Sequence, residues 1–180
     1  KKKRNQLYSL EKKNMKKIAL YLVAAITTLS CSNAQKTAFT KEALEDKMLS
    51  VDGVELSFQT ILKKYEGKTV IIDVWASWCP DCVKGMPKVV ELQKQFPDAV
   101  YLFLSYDKTP ESWSKGIEKY GVKGEHYLIL SKWKGGTFSN SIDLDWIPRY
   151  MVLNKKGEIS LYKAIEADDE KLISTIKNLN

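Results

Sequence analysis

Histidine is nearly absent from this chain and cysteine is scarce. Among 180 residues there are one histidine, His126, and three cysteines. A four-ligand zinc site could not be assembled from His126, Cys79 and Cys82 without recruiting carboxylates. Disulfide-dense secreted scaffolds carry more cysteines than this. Charge of one sign is also missing from most of the chain. The net charge is +7, but residues 1–31 hold eight basic residues against Glu11 alone, which leaves 21 of each sign elsewhere. The basic balance therefore belongs to the first 31 residues, and nothing in the body offers a nucleic-acid footprint. No internal repeat or low-complexity tract is present. The apolar fraction, 44%, and the length fit one ordinary domain plus a removable or flexible end.

That end reads as an export signal. Met15-Lys16-Lys17 precedes about a dozen apolar residues at 18–29, then Ser30-Cys31-Ser32-Asn33-Ala34. The run is short of the roughly 20 residues a membrane span needs. Met15 is the expected start, and residues 1–14 read as upstream or cloning sequence. Two exits compete. Leu29-Ser30-Cys31 resembles a lipobox, with Thr28 where leucine is usual, and would place a lipid anchor on Cys31. Cleavage after Ala34 would instead discard Cys31. Either exit puts the mature protein outside the cytoplasm, as a periplasmic protein or as a membrane-anchored lipoprotein, where a disulfide can persist. Residues 1–34 are thus taken as leader, 35–47 as a polar tether with at most a helical turn, and 48–180 as the domain.

The body is organised around residues 70–82. Val70-Ile71-Ile72-Asp73-Val74-Trp75 is an almost wholly apolar run that suits a strand buried on both faces. It leads through Ala76-Ser77-Trp78 into Cys79-Pro80-Asp81-Cys82, and 83–96 reads as a helix. Before it, Asp52-Gly53 marks a hairpin and Ser57 caps a short helix at 58–65. After it come a strand at 99–106, a helix opened by Thr109-Pro110 and closed by Gly121, and a strand at 127–130. Residues 132–145 give no clear period. Strands at 149–153 and 158–162, joined by a turn at Gly157, precede a helix with Leu172, Ile173, Ile176 and Leu179 on one face. The order β-α-β-α-β, hairpin, helix predicts an α/β fold with a mixed central sheet and helices on both faces.

Two cysteines three apart at the head of a helix are placed to shuttle between dithiol and disulfide. An unperturbed thiol, with a pKa near 8.5, holds little thiolate at neutral pH. A helix N-terminus supplies unpaired N–H donors and about half a positive charge. Cys79 falls at the cap and is the expected nucleophile. Pro80 takes the first helical position, where its missing donor costs nothing. Cys82, one turn on, is the expected resolving thiol. No metal or cofactor beyond the Cys79–Cys82 redox disulfide is called for.

The block Asp73-Val74-Trp75-Ala76-Ser77-Trp78-Cys79-Pro80-Asp81-Cys82 resembles the active-site block of the thioredoxin superfamily, and most closely that of exported TlpA/ResA-type thiol–disulfide oxidoreductases. Pro87, Trp146-Ile147-Pro148-Arg149-Tyr150 and Gly157 fall in register with the family's helix-kinking proline, cis-proline loop and hairpin glycine. The resemblance covers residues 48–179 and implies a thioredoxin-like three-layer fold. It also implies that Asp73 is a buried acid able to take the Cys82 proton; burial among apolar neighbours should raise its pKa. Pro148 would be cis, with the Ile147 backbone open to an extended substrate segment. Trp78 and Pro80 would contact substrate. Trp75 either walls the site or packs in the core. Two departures stand out. Gly85 occupies the place where many relatives have glutamate, and Asp81 between the cysteines should disfavour the Cys79 thiolate.

These readings point to exchange with exported protein disulfides or dithiols, more as reductant than oxidant, in a monomer recharged by a membrane electron donor. Cytochrome c maturation, another oxidoreductase and exported proteins at large stay open as clients. The competing reading is a non-catalytic, chaperone-like module that kept the fold.

Overall fold

A computed structural model describes residues 35–179. The expected export signal, the Met15 start and the Cys31 anchor lie outside the described residues. Seven strands form one sheet: β1 Lys47–Ser50, β2 Glu55–Ser57, β3 Val70–Trp75, β4 Val100–Ser105, β5 Glu125–Ile129, β6 Arg149–Leu153 and β7 Ile159–Ala164. Their order is β2-β1-β5-β4-β3-β6-β7. Strands β3, β4 and β5 run parallel, and β6 returns antiparallel beside β3. Among the described residues the helices are α1 Lys41–Glu45, α2 Phe58–Lys63, α3 Pro80–Gln95, α4 Pro110–Tyr120, α5 Thr137–Ser141 and α6 Glu170–Leu179.

Every residue of β3 is buried, so both faces of the sheet are covered there. Alternation puts Ile71, Asp73 and Trp75 on one face and Val70, Ile72 and Val74 on the other. Helices α3 and α4 cover the first face. Tyr101, opposite Ile71 on β4, donates to Leu92 O of α3 at 2.9 Å. Gly116 of α4 lies against Trp75, and a Cβ there would sit 2.5 Å from Ser77 Cβ, so this approach requires glycine. The second face meets the α5 region, because Arg149, opposite Val74, donates to Ile142 O at 2.9 Å. Helices α1, α2 and α5 gather around Phe39, Phe58 and Phe138, with Phe58 centred 4.9 Å and 5.1 Å from the other two rings. The mixed sheet with helices on both faces is the architecture expected from the order of elements.

Helix ends follow local chemistry. Thr109 caps α4 in a reciprocal capping box with Ser112, Pro110 opens it, and Gly121 closes it at φ 60°. Pro87 lies inside α3 without ending it.

One boundary needs correction. Residues 35–47 are part of the domain, not a tether. Ile159 N donates to Thr37 O at 2.8 Å, Thr40 caps α1, and Phe39 and Ala43 are buried. The segment's lysines and acids hid this. Phe39 and Ala43, four residues apart, are its inward-facing pair, and two positions are too few to display a period. Phe39→Ala should therefore lower the unfolding free energy by about 3 kcal/mol in denaturant titration; no change would restore the tether.

Candidate active site

Strand β3 delivers the chain to the site. After Trp75 the backbone turns through Ala76, Ser77 and Trp78 and enters α3 with Cys79 as N-cap and Pro80 next. Asp107, just past β4, clamps this turn. Its carboxylate accepts from Ser77 N at 3.0 Å, Ser77 Oγ at 2.6 Å and Ser105 Oγ at 2.8 Å. Such charge-assisted bonds, away from water, are stronger than their neutral counterparts.

Cys79 and Cys82 form a disulfide, with Cα atoms 5.3 Å apart. Cys79 Sγ accepts from the Cys82 backbone N–H at 3.2 Å, one of the donors a helix start leaves unpaired. The same sulfur lies 3.5 Å from Ile147 O. A disulfide sulfur has no proton to donate, so that contact becomes a hydrogen bond only in the thiol form. Cys79 is 5% exposed and Cys82 1%, which makes Cys79 the sulfur nearer to solvent. Among the described residues no group of three or more His, Cys, Asp or Glu side chains is placed to hold a metal.

The Ile147–Pro148 bond is cis. Arg149 organises the loop before it, donating to Ile142 O, to Asp143 O at 3.5 Å and to Asp145 Oδ1 at 2.5 Å while fully buried. Pro148, Trp146, Tyr150, Asp81, Lys84 and Gly85 line a groove of about 300 Å³. Lys88 closes one rim through ion pairs with Glu166 and Asp168.

Asp73 sits opposite Tyr150 across β3 and β6. It is 3% exposed, and neither carboxyl oxygen has a hydrogen-bond partner among the described residues. A structural acid pinning the helix start would show such bonds, and this one shows none. Burial pushes its pKa up to about 8. The Tyr150 phenol, though near, does not reach hydrogen-bond geometry and draws the value back only in part. Burial and the Asp73 charge together raise the Tyr150 phenol in turn. A Cβ added at Gly85 would stand 3.5 Å from Tyr150 Oη, so the tyrosine fills space next to the residue that departs from the expected glutamate.

The two tryptophans separate. Trp78 is 52% exposed beside Cys79, whereas Trp75 packs against Tyr120 in the core and does not wall the site. His126 stacks on Phe103 and pairs with Val122 O. Asp107, Arg149 and Tyr150 were not singled out from sequence. Arg149 and Tyr150 lay inside a quoted block, but only the fold reveals their partners.

The thioredoxin-like family model matches residues 67–159, which contain both cysteines, Asp73 and Pro148. The chain belongs to the thioredoxin-like family. Thioredoxin of Geodia cydonium is 40% identical over 55 residues, 31% of this chain and 52% of that protein, so the match spans about half of that relative's length. The thiol–disulfide oxidoreductase ResA of Bacillus cereus is 23% identical over 150 residues, 82% of each chain. In the thioredoxin domain of a Bacteroides vulgatus thiol–disulfide oxidoreductase the same fold recurs, with a TM-score of 0.63 at 22% identity over 79% of this chain and 99% of that one. With its bonded Cys79–Cys82 pair, this chain is a thiol–disulfide oxidoreductase of the thioredoxin fold.

A raised carboxyl pKa has a signed consequence for stability. The folded state keeps a proton on Asp73 that the unfolded chain, with a carboxyl near 3.9, releases. Its contribution is fully present below pH 4 and is lost as pH climbs through about 8. Asp73→Asn should thus gain on wild type across that window, by a few kcal/mol at its upper end. Unfolding curves at several pH values check this, and a gap independent of pH would contradict it.

Proposed function

We propose that this protein reduces disulfides of exported proteins. The observation that carries the reading is the Cys79 sulfur, set at the cap of α3 on the Cys82 N–H and bonded to the Cys82 sulfur. In the dithiol form, the Cys79 thiolate attacks one sulfur of the client disulfide. The client S–S bond breaks, a mixed disulfide forms, and the first client sulfur leaves as thiolate. With Asp73 in its carboxylate form, which becomes populated as pH climbs towards about 8, Cys82 gives its proton to that carboxylate and attacks the Cys79 sulfur. The Cys79–Cys82 disulfide forms and the second client sulfur leaves. The two client thiolates take up one proton from water, where the Cys79 proton went, and one released by Asp73, so the client gains two electrons and two protons and the protein's dithiol is oxidised.

Asp73 suits the proton step because its raised pKa, about 8, lies close to that of a thiol. The Ile147 backbone, Pro148, Trp78 and Pro80 surround Cys79 and would hold an extended client segment beside it. Export rests on the leader pattern at residues 15–34, with Cys31 as the candidate lipid anchor. No described helix is long and apolar enough to cross a membrane. Turnover as a reductant requires an external dithiol donor, and a membrane protein carrying electrons outward fits an exported enzyme. The protein is taken to work as a monomer and to need no cofactor or metal.

Two measurements test the reading. Insulin reduction by the dithiol protein should be lost in Cys79→Ser, while Cys82→Ser should accumulate a mixed disulfide with its client; turnover by Cys79→Ser would refute the assignment. The equilibrium potential against glutathione should fall near that of thioredoxin, about −270 mV, whereas a value near −120 mV would make the protein an oxidant.

A further inference from the structure

The segment after β5, which has no legible sequence period, builds a wall beside Trp78, the residue before Cys79. Asp46 Oδ2 accepts from Ser131 Oγ at 2.6 Å, Thr137 Oγ1 at 2.6 Å and Phe138 N at 3.0 Å. One carboxylate thereby ties together the two ends of residues 131–138. Gly136 lets this turn close, since a Cβ there would lie 2.1 Å from Lys132 O. The clamped turn presents Trp133. Its ring is centred 5.7 Å from Trp78 and 5.4 Å from Tyr106, and Trp78 Nε1 donates to Tyr106 O at 3.4 Å.

The result is an open groove of about 480 Å³ whose floor and walls include Trp78, Trp133, Tyr106, Leu130 and Pro110. Trp78 and Leu130 are 52% and 44% exposed. Large apolar side chains held in water at the edge of a reactive cysteine mark a surface that something covers. The charges on its rim say what. Lys108 and Lys132 line it, and both are exposed. Asp107 is the one acid among the lining residues, and both its oxygens are engaged by Ser77 and Ser105. The groove therefore offers apolar and aromatic side chains together with two exposed lysines, and its one acid, Asp107, is buried and turned to its own serines.

We propose that this groove docks the client segment next to the disulfide and selects one in which a bulky apolar side chain is flanked by Asp or Glu. The apolar side chain lies against Trp78 and Trp133, and the flanking carboxylates meet Lys108 and Lys132. This rests on the reading that Cys79 and Cys82 act on protein disulfides, and it adds the class of segment they act on. The preference is electrostatic in origin, so it falls as salt rises.

The test uses the full chain in its dithiol form and two peptides, each with one cysteine disulfide-linked to glutathione and a nearby phenylalanine. In one peptide the phenylalanine is flanked by aspartates, in the other by lysines. Glutathione disulfide, which carries no bulky apolar side chain, serves as the third substrate. The acidic peptide should react about fivefold faster than the basic one at low salt, from two exposed ion pairs. The double variant Lys108→Glu/Lys132→Glu should invert that ratio. Equal rates for the two peptides, with all three disulfides exchanged, would overturn the docking proposal and leave the oxidoreductase reading intact. A preference that survives the double variant would also overturn it, because the attraction would then lie elsewhere, as in the basic first 31 residues. Failure to exchange any of the three would remove the proposed function itself, and this proposal with it.

Discussion

A sulfur atom at the start of a helix is the constraint that the rest of this structure serves. Cys79 Sγ rests on the Cys82 N–H at 3.2 Å, at the positive end of a 16-residue helix. A helix terminus in a partly buried setting contributes up to about 2 kcal/mol to an adjacent anion, which is about one pKa unit or slightly more. Two groups work the other way, the Asp81 carboxylate in the first turn of the same helix and a backbone carbonyl. Ile147 O, 3.5 Å from the same sulfur, is an acceptor and favours the protonated thiol. At that length it is a weak partner for a thiol, and the helix field is expected to outweigh both and to lower the Cys79 pKa.

Holding the sulfur there takes contributions from three sides. The all-buried β3 fixes the direction of entry. Asp107 fixes the turn by taking three hydrogen bonds from Ser77 and Ser105. Arg149 fixes the opposing loop from beneath, with its guanidinium on Ile142 O and Asp145. Asp73 stands apart from these. It is buried without a hydrogen-bond partner among the described residues, where an unpaired polar group costs about 1–3 kcal/mol. A strand otherwise made of Val, Ile and Trp would be more stable with an apolar residue at that position. A costly group kept at that position suits the proton-carrying role proposed for it.

Much of this was legible before any coordinates. The apolar run at 70–75 suited a strand buried on both faces, and Cys-Pro-x-Cys three residues on pointed to a capped helix. The hairpins at Gly53 and Gly157 and the α4 cap at Thr109 followed from turn and cap chemistry alone. Asp73 stood out as the one acid in an apolar run, which is why the direction of its pKa could be foreseen. What stayed hidden depends on partners far apart in sequence. Residues 131–138 show no period because their order comes from Asp46, more than 80 residues away. Residues 35–47 looked like a tether because Phe39 is explained only by Phe58 and Phe138. Trp75 and Trp78 are three apart and chemically alike; only the packing of Gly116 and Tyr120 assigns the first to the core.

The claim on which the account turns is that the helix start lowers the pKa of Cys79. Its most direct test is the rate of iodoacetamide alkylation of each cysteine in the reduced protein as a function of pH, with the sites separated by peptide mapping. Cys79 should react first and titrate about one unit or more below the ordinary thiol value of about 8.5, with the buried Cys82 reacting only at higher pH. A Cys79 that titrates at or above the ordinary value, or a Cys82 that reacts first, would contradict the account.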